Sequence, residues 1–257
     1  MKIFVISLSR STGRRDLITR EMAKTELDFE FFDAVDGVKG EHPLFQKYDE
    51  ARAKWQGGAG LNAGELGCFA SHYLMWQKCI ELDEPIFVFE DDVLIPDNFY
   101  DVFTLLDEVL PRYEYIKLGR GRLRSLWPVG EFVEEESLGP LQIVKYMRQT
   151  DCAHAYALTP SAAKRFVKNA SSWIHPVDDY MDKEQLSEVL QFGVEPRYVF
   201  QRGEDSDIKQ TIDENTKKKK LSTIKRIRRE YYRYRDKYAC NWINYCYWFK
   251  HKTGLFK

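Results

Sequence analysis

The sequence predicts an α/β fold with a mostly parallel central sheet, followed by a basic, amphipathic helical tail. Two observations support this prediction. Short apolar runs alternate with segments of helical periodicity through most of the chain, a pattern typical of layered α/β domains. The charge is also divided: residues 1–216 contain 25 Lys+Arg and 38 Asp+Glu, a net charge of -13, whereas residues 217–257 contain 14 and 2, a net charge of +12. We therefore expect an acidic domain over 1–216 and a basic tail over 217–257.

Length and composition exclude several classes of protein. The chain has 257 residues, 44 % of them apolar and 31 % charged, which allows a sizeable core and argues against disorder. Its longest apolar runs, such as residues 86–89, are far shorter than the roughly 18 residues that span a membrane. The N-terminus lacks the layout of a signal peptide. The five cysteines are scattered, with no CxxC pair, which argues against a disulfide framework and a zinc site and favours the reducing cytoplasm.

The N-terminal half is predicted to begin with two strands and a helix. Residues 2–8 form a buried first strand, and residues 14–26 form a helix with one apolar face. A second strand covers residues 29–35. Pro43 and a glycine-rich run predict a long loop over residues 38–61.

A helix capped by Asn62 follows this loop. Glu65, three residues later, completes the spacing of a capping box. Apolar residues then recur three and four positions apart as far as about Leu82, which predicts one buried face. Pro85 ends the helix, and residues 86–89 form a short, buried strand.

The C-terminal half is predicted to continue the alternation. We expect helices at 99–110, from Thr159-Pro160 onward and at 181–190, strands at 115–118, 143–147, 154–158 and 196–200, and a loop at 119–140. Pro160 occupies the favoured first position of its helix. The sheet would thus be built from strands that are spread along the whole domain.

The most informative segment is Glu90-Asp91-Asp92, which directly follows the apolar strand. Adjacent carboxylates repel one another unless a partner compensates their charge, and Mg²⁺ and Mn²⁺ prefer such hard oxygen ligands. In an extended segment Glu90 and Asp92 project to one side and Asp91 to the other. Ligands of open α/β sheets bind beyond the carboxyl ends of the strands. Glu90 and Asp92 are therefore a candidate metal site, and a solvated turn without a ligand is the alternative.

A second acidic pair, Asp178-Asp179, follows Pro176-Val177. Its structural interpretation is helix capping, for which Asp is well suited. Its functional interpretation is a general base or a further metal ligand. Together the two acidic clusters provide the groups needed to transfer a group from a nucleotide diphosphate, namely a metal that neutralises the leaving phosphates and a carboxylate that accepts a proton.

Five motifs follow one another along the chain. They are Val5-Ile6-Ser7-Leu8-Ser9-Arg10 with Arg14-Arg15, the segment from Leu61 to His72, the segment from Phe87 to Val93, His154-Ala155-Tyr156-Ala157-Leu158 with Ala162-Ala163, and Pro176-Val177-Asp178-Asp179. In this order they resemble glycosyltransferase family 25, which includes the lipooligosaccharide galactosyltransferases of Gram-negative bacteria and, more distantly, collagen galactosyltransferases. The resemblance covers about residues 1–200. Ala70 departs from the larger aliphatic residue that is more usual there, and we expect this to affect packing only.

The resemblance implies a nucleotide-sugar-binding fold of the GT-A type, a UDP-sugar donor, a Mn²⁺ or Mg²⁺ cofactor and an inverting mechanism. In the acidic motif, Asp92 would bind the cation directly, and Glu90 would bind the cation or the ribose. Donor-binding residues are expected in the first strand, its loop and the acidic motif: Ser7, Leu8, Arg10, Arg14, Glu90 and Asp91. Arg14 and Arg15 lie in a first helical turn, where cations oppose the helix dipole, so a phosphate-facing role is favoured over a solvated turn.

Inversion requires a base that takes the proton of the acceptor hydroxyl as this hydroxyl attacks the anomeric carbon. We assign Asp178 to this role, with Asp179 as the second candidate; the alternative is that one of them completes the metal site. His154 and Tyr156 alternate to one side of a strand near the site, which suits contact with an acceptor sugar. A buried core pair is the other interpretation of these two residues.

The tail is predicted to be a helix, because no Gly or Pro occurs between Glu204 and Thr253. Nine apolar side chains from Leu221 to Phe249 recur at a mean spacing of 3.5 residues, and basic side chains occupy the opposite face. Such a helix fits binding in the plane of an anionic membrane. The alternative is that the stripe docks on the body or on another subunit, and a nucleic-acid arm is the least favoured. With a lipid-linked oligosaccharide as acceptor, the membrane interpretation places the protein peripherally on the inner face of the bacterial cytoplasmic membrane.

Three functions are compatible with these residues. The leading hypothesis is a metal-dependent hexosyltransferase that moves galactose from UDP-galactose to a terminal sugar of lipooligosaccharide. The second is a non-catalytic membrane or nucleic-acid adaptor with a degenerate transferase-like body; the intact Glu90-x-Asp92 disfavours it, because a degenerate relative is expected to lose its metal ligands first. The third is a metal-dependent phosphohydrolase, which would release inorganic phosphate.

Overall fold

The computed structural model describes residues 1–57, 60–121, 132–203 and 223–254. The strands in these residues are β1 (Lys2–Ser7), β2 (Glu30–Asp33), β3 (Ile86–Glu90), β4 (Val93–Leu94), β5 (Tyr115–Lys117), β6 (Phe132–Leu138), β7 (Leu141–Tyr146), β8 (Ala155–Leu158), β9 (Phe192–Glu195) and β10 (Phe200–Gln201). The α-helices are α1 (Thr12–Ala23), α2 (Glu50–Gly57), α3 (Ala63–Leu82), α4 (Phe99–Tyr113), α5 (Pro160–Asn169), α6 (Val177–Met181), α7 (Glu184–Ser187) and α8 (Thr223–Thr253). Two 3₁₀ segments, Gly37–Lys39 and Pro43–Lys47, lie between β2 and α2.

One mixed sheet of eight strands organises the fold, in the order β2-β1-β3-β8-β5-β9-β7-β6. Among the described residues, six of these strands run in one direction, and β7 and β8 run against them. The sheet is therefore mostly parallel, and the predicted α/β class is confirmed. β4 and β10 form a separate antiparallel pair in which Gln201 lies opposite Val93.

Helices and apolar side chains cover both faces of the sheet. In β3, Phe87 and Phe89 point into one core layer with α1 and α4, whereas Ile86 and Val88 point into the other with α3 and α5. All four side chains are completely buried. A strand that is buried on both faces has a continuous apolar sequence, which is why this strand is predictable from residues 86–89.

Helices α3 and α5 begin where the sequence predicts. Asn62 Oδ1 accepts a hydrogen bond from the Glu65 N–H at 2.9 Å, and Glu65 Oε2 accepts one from the Asn62 N–H at 2.7 Å, which completes the capping box. Thr159 caps α5 by accepting a hydrogen bond from the Ala162 N–H at 3.3 Å, and Pro160 lies in the first turn. Local capping signals thus set both starting points.

Two segments predicted as loops contain regular structure. Residues 38–61 include both 3₁₀ segments and α2, and residues 119–140 include β6; residues 122–131 lie outside the described part of the chain. β6 is an edge strand with three consecutive glutamates, so it lacks the apolar run of an interior strand. The strand predicted at 196–200 is also wrong: the last strand of the large sheet is β9, which ends before Pro196, a residue that cannot donate to a sheet ladder.

The helix predicted at 181–190 is instead two short helices, α6 and α7. They are separated at Asp182, whose buried carboxylate accepts hydrogen bonds from the N–H groups of Thr150 and Asp151 at 2.6 and 2.7 Å. Lys117 forms an ion pair with the same carboxylate. This contact ties α6 to the loop that precedes β8.

Helix α8 confirms a helix over the described part of the predicted tail; Leu221 and the basic run 217–220 lie outside the described residues. α8 packs against α2 and α7, but its apolar stripe is exposed, so docking of the stripe on the body is wrong, whereas docking on another subunit stays an alternative. The outward stripe, as we name the following eight side chains, is between 45 % and 76 % exposed: Ile224, Ile227, Tyr231, Tyr234, Tyr238, Trp242, Tyr245 and Phe249. Within the described ranges, no helix has an apolar stretch long enough to cross a bilayer.

A polar face holds α8 against the body. Near its N-terminal end, the Arg228 guanidinium lies 3.5 Å from the centroid of the Trp55 ring and donates a hydrogen bond to the Trp55 carbonyl at 2.9 Å. Further along, the completely buried Lys145 ammonium donates to Asn244 Oδ1 at 2.8 Å and pairs with Glu184 Oε1 at 2.6 Å. The contacts that fix α8 therefore combine a partly exposed cation–π contact near its N-terminal end with a buried polar contact at Asn244.

Replacing Lys145 by alanine is expected to lower the free energy of unfolding by about 3 to 5 kcal/mol, because Glu184 would remain buried without its cation. Urea unfolding followed by circular dichroism measures this change. Lys164→Ala is a matched control, since exposed Lys164 lies 4.0 Å from exposed Asp83, and its effect should stay below about 1 kcal/mol. An equally small effect of Lys145→Ala would show that the buried pair of Lys145 and Glu184 does not stabilise the fold.

Candidate active site

Two adjoining clefts open near the carboxyl ends of β1 and β3. The polar lining of the first cleft includes Ser7, Arg10, Arg14, Asp36, Asp91 and Asp92. The second cleft is lined by residues of α3, the loop before β8 and α6, including Glu65, Asp151, Cys152, His154 and Asp178. Cys68, Glu90 and Gln201 line both clefts.

Asp91 is held in the first cleft by residues of β1 and α1. Ser7 Oγ donates a hydrogen bond to Asp91 Oδ2 at 2.6 Å, and Arg14 Nη1 donates one to Asp91 Oδ1 at 3.1 Å. Burial raises the pKa of Asp91, and the two donors oppose this effect. The predicted donor-binding residues Ser7, Arg14 and Asp91 are thus in direct contact.

Arg10 lies on the other side of the same cleft. Its Nε donates a hydrogen bond to Asp36 Oδ2 at 2.7 Å, and this contact lowers the pKa of Asp36. Leu8 also lines the cleft. The structure therefore brings all the residues predicted to bind the donor to one cleft: Ser7, Leu8, Arg10, Arg14, Glu90 and Asp91.

A close approach of the loop after β2 to α3 forms one wall of this cleft. A Cβ atom at Gly37 would lie 1.7 Å from the Ala63 carbonyl oxygen, and one at Gly67 would lie 2.6 Å from the Val35 carbonyl oxygen. Both contacts are with backbone, which cannot move aside easily, so only glycine fits at either position. This packing brings the α3 face that carries His72 to the cleft.

Glu90 and Asp92, the predicted metal pair, have different surroundings. Glu90 Oε1 lies 3.3 Å from His72 Nε2. Burial acts to raise the pKa of Glu90, but His72 and other basic groups outweigh it, so the pKa is lowered. Asp92 Oδ2 accepts a hydrogen bond from Gln201 Nε2 at 2.8 Å, whereas the buried Oδ1 has no partner among the described residues. Burial and the neighbouring Glu90 raise the pKa of Asp92 to about 7.

These surroundings suit a divalent cation. The two carboxylates supply hard oxygen ligands, which Mg²⁺ and Mn²⁺ prefer. A buried carboxylate oxygen without a partner, such as Asp92 Oδ1, is costly, and a cation would satisfy it. The positive charge would also favour the ionised form of Asp92. The donor set therefore fits the predicted cofactor.

The structure separates the two candidate bases. Asp178 lines the second cleft, and its Oδ1 accepts a hydrogen bond from the Asp179 N–H at 2.9 Å. Burial raises the pKa of Asp178 to about 6, although this N–H opposes the effect. Asp179 instead pairs with His175 at 3.1 Å and Lys183 at 3.5 Å. These partners outweigh the burial of Asp179 and lower its pKa. Of the two candidates, Asp178 faces a cleft.

His154 and Tyr156, the residues predicted to contact the acceptor, also have different surroundings. His154 lines the second cleft, where burial lowers its pKa and its Nε2 has no partner among the described residues. Tyr156 is completely buried, and its hydroxyl lies 2.8 Å from His72 Nδ1. Tyr156 lies two residues further into the sheet, beneath α3, so it does not reach the cleft and the predicted acceptor contact does not apply to it. The core interpretation describes Tyr156, whereas His154 is 2 % exposed and lies in the wall of the second cleft, so its contact with an acceptor stays a prediction.

Gln201 and Asp36 are cleft residues that were not predicted. Gln201 reaches Asp92 because β10 pairs with β4, and no local signal in the sequence marks this contact. Asp36 lies beside Arg10 in the first cleft. It directly follows a predicted strand, so the rule that ligands bind beyond the carboxyl ends of strands would have found it.

Comparison with known proteins identifies the family to which this chain is similar. The model of glycosyltransferase family 25 (LPS biosynthesis protein) matches residues 1–181. The lipooligosaccharide biosynthesis protein lic2B of Haemophilus influenzae is 42 % identical over 108 residues, which cover 42 % of this chain and 39 % of that protein. The probable inactive glycosyltransferase 25 family member 3 of Rattus norvegicus is 31 % identical over 192 residues, which cover 70 % of this chain and 32 % of that protein.

The match to a third relative covers a larger share of that relative's length. A putative glycosyltransferase of Haemophilus influenzae (strain ATCC 51907 / DSM 11121 / KW20 / Rd) is 29 % identical over 196 residues, which cover 74 % of this chain and 64 % of that protein. The chain thus spans less than two thirds of each of these three relatives. The family match includes β1, β3, α3 and α6, and with them nearly all of the residues that line the two clefts. This chain belongs to glycosyltransferase family 25.

Proposed function

We propose that this protein transfers galactose from UDP-galactose to a sugar of a lipooligosaccharide or lipopolysaccharide acceptor, with inversion at the anomeric carbon. The observation that carries the proposal is the junction of two clefts at Glu90, one lined by Arg10 and Arg14 and the other by Asp178. Family membership supports the transfer of a sugar, and similarity to lic2B, named as a lipooligosaccharide biosynthesis protein, supports the class of acceptor.

The first cleft suits the nucleotide part of the donor. Arg10 and Arg14 are oriented by Asp36 and Asp91, and guanidinium groups held in this way match the geometry of phosphates. The parallel unit β2-β1-β3 has its cleft beyond the carboxyl ends of the strands, as in other nucleotide-binding α/β folds. This arrangement supports a fold of the GT-A type.

Glu90 and Asp92 would hold Mn²⁺ or Mg²⁺ beside the donor phosphates. When bound, the cation neutralises negative charge that develops on the leaving UDP. Asp92 contributes the buried oxygen that has no partner in the described part of the chain. Glu90 contributes a carboxylate whose lowered pKa keeps it ionised.

Asp178 acts as the base in the second cleft. The acceptor oxygen forms a bond to the anomeric carbon from the face opposite UDP, the bond from that carbon to the phosphate oxygen breaks, and the hydroxyl proton passes to Asp178. With a pKa of about 6, Asp178 is mostly ionised at neutral pH and is more basic than an ordinary aspartate. His154, kept neutral by its lowered pKa, offers a hydrogen bond to the acceptor sugar.

Asp178→Asn is expected to reduce galactose transfer by about 100-fold or more and to leave UDP binding nearly unchanged, because the amide cannot take the proton and the first cleft is intact. The experiment measures UDP release with Mn²⁺ from UDP-galactose, UDP-glucose and UDP-N-acetylglucosamine, with and without a soluble galactoside acceptor. Calorimetry measures the affinity for UDP.

Asp179→Asn is the matched control, since it makes the same chemical change one residue away, at a side chain that pairs with His175 and Lys183. It should retain most of the activity. Turnover of UDP-glucose alone would change the proposed donor. Failure of the unaltered protein to turn over any UDP-sugar would contradict the proposal, and loss of metal binding in Asp178→Asn would assign Asp178 as a ligand.

The rate of transfer should fall as the pH decreases through about 6. Asp178 has a raised pKa of about 6, so it is protonated below that pH and cannot accept another proton. Measuring kcat between about pH 5 and pH 8 tests this, with saturating Mn²⁺ to keep Asp92 ionised. A rate that does not change between about pH 5 and pH 7 would rule out Asp178 as the base.

We also propose that α8 associates with an anionic membrane surface, on the inner face of the bacterial cytoplasmic membrane where a lipid-linked acceptor would be displayed. The outward stripe presents Trp and Tyr side chains, which suit the membrane interface. Exposed Arg226, Arg233 and Arg235 lie on the same helix, and each basic residue near such a surface contributes about 1 kcal/mol.

The double variant Tyr238→Ser/Trp242→Ser is expected to lose sedimentation with vesicles of phosphatidylglycerol and phosphatidylcholine, because these side chains are 70 % and 68 % exposed and supply apolar area to the interface. Transfer to a soluble acceptor should persist. Tyr100→Ser is the matched control, as Tyr100 is 53 % exposed on α4. The membrane proposal fails if the unaltered protein does not sediment, or if it is a dimer that the double variant dissociates.

A further inference from the structure

Cys68, His72 and Glu90 form a compact group of donor atoms at the junction of the two clefts. Cys68 and His72 lie one turn apart on α3, and Glu90 ends β3. Cys68 Sγ, the nearest His72 ring nitrogen and a Glu90 carboxylate oxygen all lie within 4.8 Å of one another. The ligands of a tetrahedral Zn²⁺ lie roughly 3.3 to 3.8 Å apart when the metal–ligand distances are about 2.0 to 2.3 Å. Small side-chain movements are therefore enough to enclose one ion.

The hydrogen bond on the far side of His72 supports this role. His72 Nδ1 lies 2.8 Å from the hydroxyl of Tyr156, and Nε2 lies 3.3 Å from Glu90 Oε1. A metal-bound histidine commonly donates its other ring N–H to an oxygen, which fixes both the tautomer and the ring orientation. With a cation bound, Nδ1–H would donate to Tyr156, and the lone pair of Nε2 would be directed to the side of Glu90, which lies 3.3 Å away.

We propose that Cys68, His72 and Glu90 bind one borderline-soft divalent cation of the zinc class. Thiolate and imidazole ligands favour Zn²⁺ over Mg²⁺ and Mn²⁺, which prefer oxygen. On binding, the Cys68 thiol gives up its proton to water, and the thiolate and the Glu90 carboxylate balance the two positive charges. The fourth coordination position faces the clefts, since Cys68 and Glu90 line both of them.

This site differs from the carboxylate pair proposed for Mn²⁺ or Mg²⁺ in its ligands and does not depend on the transfer reaction. The two sites share Glu90, so their ions compete for this carboxylate. The sequence argues against a zinc site because its cysteines form no CxxC pair, and the ligands proposed here come instead from a helix and a strand. In the fold, Cys68 and His72, which are four residues apart on α3, lie next to Glu90 at the end of β3.

Co²⁺ is the probe that tests this proposal, because a thiolate ligand gives Co²⁺ a charge-transfer absorption band in the near ultraviolet. Titration of the metal-free full chain with Co²⁺ should produce this band together with intense visible bands of tetrahedral Co²⁺, and one equivalent of Zn²⁺ should remove both. Cys68→Ser should abolish the near-ultraviolet band. Cys246→Ser is the matched control, and it should keep the band because Cys246 lies on α8.

Glu90→Gln provides a second variant that does not alter the thiol. It should keep the near-ultraviolet band but bind Co²⁺ about tenfold or more weakly; circular dichroism checks that each variant is folded. The proposal is overturned if the unaltered protein gives only the weak visible spectrum of octahedral Co²⁺, if the band survives in Cys68→Ser, or if Glu90→Gln binds Co²⁺ with unchanged affinity. Protein that transfers galactose without forming this band refutes this site alone, and protein that forms the band without transferring sugar refutes the proposed function alone.

Discussion

Three consecutive carboxylates lie at the end of an interior strand, where they repel one another and are largely shielded from water. Each is contacted by a different part of the fold: Glu90 by His72 of α3, Asp91 by Ser7 of β1 and Arg14 of α1, and one oxygen of Asp92 by Gln201 of β10. A buried charge that loses its partner costs several kcal/mol. Polar contacts as well as apolar packing therefore stabilise the positions of α1, α3 and β10 around β3, and the three carboxylates line the clefts.

Much of the fold could be predicted, because its strongest signals are local. The doubly covered strand at residues 86–89 and the capping box of Asn62 and Glu65 depend only on neighbouring residues. The errors occurred where a distant contact decides the structure. Asp182 separates α6 from α7 because it accepts hydrogen bonds from residues more than thirty positions earlier, and the acidic strand β6 is stable as an edge strand only because β7 pairs with it.

The candidate site was predictable to a similar degree. Sequence order identified the acidic segment and the residues of the first cleft, because these follow strands whose ends meet at one edge. It ranked Asp178 before Asp179 without a geometric reason, since adjacent residues in a helical turn point in different directions and only the structure shows which of them lines a cleft. It placed Tyr156 beside His154 from strand alternation, but alternation does not show how far α3 covers the sheet.

Helix α8 contacts the body through Asn244, which accepts a hydrogen bond from Lys145 of β7, and through Arg228, which lies over the Trp55 ring. Neither residue belongs to the outward stripe, so the residues that hold α8 and those that it exposes are two separate sets on one helix. Substitutions in the outward stripe have little effect on packing, since these side chains are largely exposed. In evolutionary terms, the exposed surface of α8 can therefore change while the residues that line both clefts are inherited unchanged.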